Sequence, residues 1–168
     1  MTEHFLVKLF EHNNWANSQI IQACSALSDT QLDAESQSVT IRSIRQTLMH
    51  LVTSQHGYLS LLTLPVEARI ASNPAFAELQ QAASISGAGL VAVARDESGE
   101  HLTTQLRTTD GFFVERWVVI VQIINHATEH REQINSMLNS LGVTPPDLDG
   151  WTYGEATHTL IPITEGQV

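Results

Sequence analysis

Residues 119–141 read VIVQIINHATEHREQINSMLNSL. Apolar side chains recur in this stretch every three or four positions, which is the period of one face of an α-helix. The middle of that face is polar, because His126 and His130 occupy it. Side chains four residues apart on a helix are neighbours, so the two imidazoles can converge on one divalent ion. The stretch predicts a long helix packed into an apolar core, with a metal site on its inner face.

The rest of the chain carries three more helical patterns. We predict helices over residues 2–27, 40–64, 74–97 and 115–142, with a third helix opened by Asn73 as the N-cap and Pro74 as the first helical residue. The connection between the third and fourth helices is long, and a tight turn at Asp110-Gly111 suggests a short hairpin there. The economical architecture is an all-α four-helix bundle forming a single domain over residues 1–168.

Several single residues refine this prediction. Ser28 and Gln31 have the spacing of a capping box, which would open a short extra helical turn. Asn13 interrupts the apolar stripe of the first helix, so its amide should bond a neighbouring helix or face a polar cavity. Gly87 and Gly89 weaken the third helix, which should bend there or pack closely on a partner. Beyond Asp147 the chain has no period, and Trp151 and Tyr153 are candidates to tie this tail onto the bundle.

Composition and charge exclude several classes of protein. The 168 residues carry eight Lys and Arg against 18 Asp and Glu, a formal charge of -10, and such a surface repels nucleic acid. No stretch is apolar enough to span a bilayer and the first residues lack the pattern of an export signal, so we expect a soluble, cytoplasmic protein. The single cysteine, Cys24, is best explained as a small residue of the core.

A metal site needs a third ligand from another helix. His50 lies on the flank of the second predicted helix, where its neighbours Thr47, Ser54 and Gly57 are small and leave room for another helix or a ligand. On spacing alone, five other histidines compete with it: His4, His12, His56, His101 and His158. Three imidazoles would leave a coordination position for water or substrate, and they suit zinc, nickel, iron or manganese.

A different motif overlaps the same stretch. His126, Glu129 and His130 match H-x-x-E-H, the inverted zincin signature, in which the glutamate is the general base of a peptidase. That site needs a further carboxylate ligand, for which Glu132, Glu155 and Glu165 are the candidates. We expect Glu129 on the flank of the helix rather than on the histidine face, which weighs against a peptidase.

Four segments together resemble the DinB (YfiT-like) superfamily of metal-dependent bacterial proteins. They are FEHNNWAN at residues 10–17, SIRQTLMH at 43–50, INHATEHREQI at 124–134 and PPDLD at 145–149. The resemblance implies an up-up-down-down four-helix bundle, frequently a homodimer, in which His50, His126 and His130 bind one divalent metal ion. Glu129 departs from the pattern, since many members carry histidine or tyrosine just before the last metal ligand.

The resemblance also narrows the expected function. Some members of the superfamily are S-transferases or isomerases that use a low-molecular-weight thiol such as bacillithiol or mycothiol, and others resemble metal-dependent hydrolases. The leading hypothesis is therefore an enzyme whose metal activates a thiol cofactor or a water toward a small-molecule substrate. The alternative is a non-catalytic protein that binds metal or dimerises in a stress response.

Overall fold

A computed structural model describes residues 5–36, 43–96, 99 and 101–163 of the chain. These residues are mostly helical, and a two-stranded sheet separates the fourth and fifth helices. In chain order the elements are α1 (Phe5–Ser25), α2 (Asp29–Leu32), α3 (Ile44–Thr63), α4 (Leu79–Asp96), β1 (Gln105–Arg107), β2 (Phe113–Glu115), α5 (Arg116–Ser140) and α6 (Gly150–Ala156). The predicted helix limits at Thr2, Thr40 and Glu97 lie outside the described residues.

The four long helices pack on one another around two apolar clusters. Both α1 and α3 contact α4 and α5. One cluster includes Leu48, Ile134 and Leu138, and the other includes Phe10 and Ile123. Because α5 contributes to both clusters, its histidine pair lies between two anchored segments of the same helix. The predicted helical class is confirmed, whereas the up-up-down-down order of helix directions stays a prediction.

Local hydrogen bonds explain where several helices begin and end. Ser28 and Gln31 form the predicted capping box: Ser28 Oγ accepts from the Gln31 amide at 3.3 Å, and the Ser28 amide donates to Gln31 Oε1 at 3.0 Å. Ser43 Oγ accepts from the Gln46 amide at 3.3 Å at the start of α3. After the C-terminal end of α5, Gly142 has a φ of 72°, the left-handed conformation that terminates helices and favours glycine.

The predicted start of the third helix is wrong. The chain first forms a 3-10 turn over Phe76–Glu78 with Ala75 as its cap, and α4 follows from Leu79. Glu78 Oε2 accepts from the Ala75 amide at 3.0 Å, which satisfies a donor that the Asn73 side chain was expected to bond.

The tail beyond Asp147 is more regular than its sequence suggested. Asp149 caps α6 by accepting from the Thr152 amide at 2.8 Å. A helix of seven residues is too short to show a period, so the sequence pattern missed it. Tyr153 does contact α1, where its ring lies 5.3 Å from that of Trp15, but Trp151 is 72% exposed and does not bury its ring.

Two glycines let α4 approach its neighbours closely, as one of the two predicted alternatives required. A Cβ on Gly87 would lie 2.6 Å from the side chain of Asn14 in α1. A Cβ on Gly89 would lie 2.5 Å from the side chain of Leu59 in α3. A side chain at either position would therefore require Asn14 or Leu59 to move.

The excursion between α4 and α5 is the predicted hairpin. β1 and β2 pair antiparallel, with Leu106 opposite Val114, and Gly111 in the turn has a φ of 95°.

None of the helices among the described residues combines the length and apolar character needed to cross a membrane.

Candidate metal centre

Three histidines converge between α3 and α5. His50 comes from α3, His126 and His130 come from α5, and their candidate ligand nitrogens all lie within 4.8 Å of one another. The Nε2 atoms of His50 and His126 are 3.0 Å apart. Two nitrogens that bind one tetrahedral ion at typical bond lengths are about 3.4 Å apart. The cluster therefore has the dimensions of a metal site.

The packing of α3 on α5 brings the third imidazole to the pair. Leu51 and Ala127 each follow one of the histidines by one residue, and both belong to the same apolar cluster. Their burial fixes the register of the two helices at this level. Of the small residues near His50, Thr47 is buried, whereas Gly57 is exposed and a Cβ there would meet no atom within 4 Å.

The environment of the cluster favours the neutral form of His50 and His126. His130 is 6% exposed, whereas His50 and His126 are more open to solvent. Burial is the main cause that lowers the pKa of His126 to about 4, and the neighbouring His130 and His50 make smaller contributions. Burial and then His130 also lower the pKa of His50. At neutral pH both rings therefore keep the nitrogen lone pairs that a metal requires.

A hydrogen bond orients the buried histidine. His130 Nδ1 lies 2.8 Å from Gln133 Oε1. Since an amide oxygen only accepts, Nδ1 is the donor of this bond, and in the neutral imidazole this leaves the lone pair on Nε2. Such contacts fix the tautomer and ring orientation of metal-binding histidines. Gln133 lay inside a motif noted in the sequence, but its role was missed; its spacing of three residues from His130 on one helix was the available signal.

The other predicted candidates lie elsewhere. His12 Nε2 contacts the Leu148 carbonyl oxygen at 2.9 Å, on the side of α1 that meets the tail. His56, His101 and His158 do not join the cluster, and His4 lies outside the described residues.

The geometry does not support the inverted zincin interpretation. Glu129 is exposed, as expected for a residue on the flank of α5, and it is not part of the histidine cluster. Neither Glu132 nor Glu155 joins the three imidazoles, and Glu165 lies outside the described residues. Within the part of the chain that the structure describes, the peptidase site therefore lacks its carboxylate ligand.

A buried arginine next to His130 holds α1 to α5. Arg131 is 4% exposed, and its Nη1 donates to Asn13 Oδ1 at 2.8 Å and to Asn17 Oδ1 at 2.6 Å. Asn17 passes the network on to α3 by donating to Gln55 Oε1 at 2.8 Å. Burial lowers the pKa of Arg131 to about 10. Asn13 thus bonds a neighbouring helix, the first of its two predicted alternatives, whereas no sequence signal indicated that Arg131 is its partner.

The donor set fits a divalent ion of the kind expected. Three neutral imidazoles leave the full charge of the ion in place and suit zinc and the other late first-row metals. The one cysteine is not a ligand, because Cys24 is fully buried in the core and burial raises the pKa of its thiol to about 12. This confirms its predicted role as a core residue.

Comparisons with known proteins agree with the fold. The sequence profile of the DinB family matches residues 1–165. A crystal structure of a DinB-like protein from Bacillus cereus ATCC 10987 is similar, with a TM-score of 0.65 and 18% sequence identity, covering 88% of this chain and 99% of that one. At that identity the likeness shows the fold alone. No curated protein matches the sequence significantly.

Proposed function

Because this chain belongs to the DinB family, we propose that His50, His126 and His130 bind one divalent metal ion and that the protein is a metal-dependent enzyme. The observation that carries the proposal is the approach of three imidazole nitrogens, from two helices, to within 4.8 Å of one another. Zinc, nickel, iron and manganese are the candidate metals. A bound ion of this kind lowers the pKa of a coordinated water or thiol and polarises a carbonyl group.

The residues of the chain support this role in distinct ways. His50 and His126 supply unprotonated nitrogens, since their pKa values are lowered. Gln133 holds His130 with Nε2 free to bind. The greater exposure of His50 and His126 leaves one side of the cluster accessible to a substrate, as a catalytic site requires and a closed structural site does not.

We propose two reaction classes for the site. One is an S-transferase that uses a low-molecular-weight thiol, and the other is a hydrolase that activates water. Both act on a small-molecule substrate and need an open coordination position. A homodimer, a cytoplasmic location and the up-up-down-down bundle are further parts of the proposal, supported by membership of the family.

Metal analysis of the purified protein tests the proposal. The chain and its variants His50→Ala, His126→Ala and His130→Ala are stripped with a chelator, loaded separately with each candidate metal and analysed by mass spectrometry. His101→Ala is the matched control, because His101 is an exposed histidine outside the cluster. We expect one ion per chain in the parent and the control, and at least a tenfold loss of affinity in the other three variants. Equal metal content in all five proteins would contradict the proposal.

A second experiment separates an enzyme from a non-catalytic metal protein. The electronic spectrum of the cobalt-loaded chain reports whether the ion keeps an exchangeable ligand, because added azide or a small thiol shifts the spectrum of an open site. Thiol-transfer and esterase screens of the loaded chain then distinguish the two reaction classes. A spectrum that no added ligand changes, together with no turnover in either screen, would indicate a structural or sensing role.

A further inference from the structure

A cavity of about 430 Å³ lies beside the histidine cluster, at the junction of α3, the loop that follows it and the hairpin. Its volume is within the range of small-molecule sites. Its walls are mostly apolar, and the residues that line it include Gly57, Tyr58, Leu61, Arg69, Ile70 and Thr108.

One aromatic ring separates the cavity from the cluster. Tyr58 forms part of the cavity wall, and its ring meets that of His126 edge-on, with 5.5 Å between centroids. Gln122 Nε2 lies 3.4 Å from the Tyr58 hydroxyl, which helps to hold the ring from α5. His50, Gly57 and Leu61 also share one face of α3, since they are seven and four residues apart. The cavity therefore lies on the same face of α3 as His50, with Tyr58 between it and His126.

The cavity contains a cation that is held in place but not neutralised. Arg69 Nε donates to the Leu64 carbonyl at 3.0 Å, and Arg69 Nη1 donates to the Arg107 carbonyl at 2.6 Å. These bonds use two of the five N–H groups of the guanidinium. Among the described residues no carboxylate forms an ion pair with Arg69. In a chain with a formal charge of -10, a fixed cation in an apolar cavity favours an anionic ligand at this place.

We propose that this cavity binds the substrate of the metal centre, and that the substrate is a small carboxylic acid with an apolar body. The inference rests on the proposed function. Arg69 binds the carboxylate through its remaining donors, Leu61 and Ile70 contact the apolar body, and Tyr58 directs the other end toward His126. A carboxylate fits better than a phosphate, because a single guanidinium and a strongly acidic chain disfavour a dianion.

A pair of probes tests recognition of the charge. 4-Phenylbutyrate and 4-phenylbutanamide have the same apolar body, but only the first is an anion. Isothermal titration of the zinc-loaded chain should show the carboxylate binding at least tenfold tighter than the amide. Arg69→Gln should weaken binding of the carboxylate about tenfold, the size expected for loss of a charge-assisted hydrogen bond, and leave binding of the amide unchanged.

Equal affinities for the two probes in the parent would overturn the proposal. So would an Arg69→Gln variant that loses both probes together, because that result would mean that Arg69 only supports the shape of the loop.

A second variant tests the location of the site. Gly57 lines the cavity, and a Cβ there would meet no atom within 4 Å, so Gly57→Leu adds an apolar side chain at the cavity wall. We expect it to weaken binding of the carboxylate more than tenfold, while the control Gln46→Leu, at an exposed position of α3 outside the cavity, stays within twofold of the parent. Unchanged binding in Gly57→Leu would place the ligand elsewhere and overturn the proposal.

Zinc content, measured separately in every variant, distinguishes the two proposals. A chain that binds none of the four candidate metals contradicts the proposed function, and the same titrations of the metal-free chain still test the cavity. A chain that binds zinc normally but shows no preference for the carboxylate contradicts only the cavity proposal.

Discussion

The Nε2 atoms of His50 and His126 are 3.0 Å apart, although 76 positions separate the two residues in the chain. At this distance one nitrogen can donate an N–H to the other when no metal is bound, and two protonated rings would repel each other. Burial and then His130 lower the pKa of both rings, and His50 makes a further, smaller contribution to the lowering at His126. The fold therefore favours the neutral form of the pair, which is also the form that binds metal.

The metal-free protein should lose stability as the pH falls from 6.5 toward 4. In that window the unfolded chain protonates His126, whose ordinary pKa is 6.5, while the folded chain keeps it neutral down to a pKa of about 4. The unfolded state then binds more protons, so the free energy of unfolding rises with pH. Urea midpoints at several pH values, with EDTA present, measure the slope. His126→Gln should flatten it, and a stability that increases toward pH 4 would contradict the argument.

Zinc should stabilise the parent protein against heat. A ligand at 1,000 times its dissociation constant adds about 4 kcal/mol to the free energy of unfolding. For a domain of this size that corresponds to an increase of roughly 10 °C in Tm. Differential scanning calorimetry should show this shift in the parent and in His101→Ala but not in His130→Ala. A shift of equal size in His130→Ala would mean that zinc binds elsewhere.

Gln133→Leu should weaken metal binding by roughly 10- to 100-fold, because it removes the acceptor that orients His130. Gln133→Glu keeps an acceptor oxygen and should retain most of the affinity. Competition with a chromogenic chelator measures both. Asn139→Leu, an exposed position farther along α5, is the control and should bind like the parent. An affinity of Gln133→Leu equal to the parent's would show that packing alone orients the ring.

Arg131→Met should destabilise the fold by about 3 kcal/mol. It leaves the buried oxygens of Asn13 and Asn17 without their donor, and such groups are costly in an interior. Urea denaturation measures the change in the free energy of unfolding. Arg107→Met, at an exposed position of β1, should change it by less than about 0.5 kcal/mol. A loss below about 1 kcal/mol at Arg131 would mean that the network contributes little.

The same substitution at two helical glycines should have opposite effects. Gly57→Ala should stabilise α3 by up to about 1 kcal/mol, because a Cβ there meets no neighbour. Gly87→Ala should destabilise the protein by about 1–3 kcal/mol, because its Cβ would overlap the side chain of Asn14 in α1. Thermal unfolding of the two variants provides the comparison, and changes of the same sign would contradict the close packing of α4 on α1.

Local pattern was enough to predict the four long helices and two of the three histidines of the candidate site. The apolar period gave the four long helices, and the spacing of His126 and His130 placed both imidazoles on one helix face, because each depends on neighbours within one or two turns. The capping box at Ser28 and the hairpin turn at Gly111 are local in the same sense.

The apolar period did not predict the start of α4 or the presence of α6. At the start of α4, a hydrogen bond from the Ala75 amide to the Glu78 side chain stabilises a 3-10 turn. At α6, the Asp149 cap stabilises a helix too short to show a period.

Only the tertiary structure decided which side chains meet across helices. On spacing alone His50 was one of six candidates for the third position, and the packing of α3 on α5, anchored by Leu51 and Ala127, selected it. The contact of Arg131 with Asn13 and the presence of Tyr58 and Arg69 in one cavity wall arose in the same way. Periodicity identifies the inward face of each helix, but the register of one helix against another depends on the shapes of many distant side chains packed together.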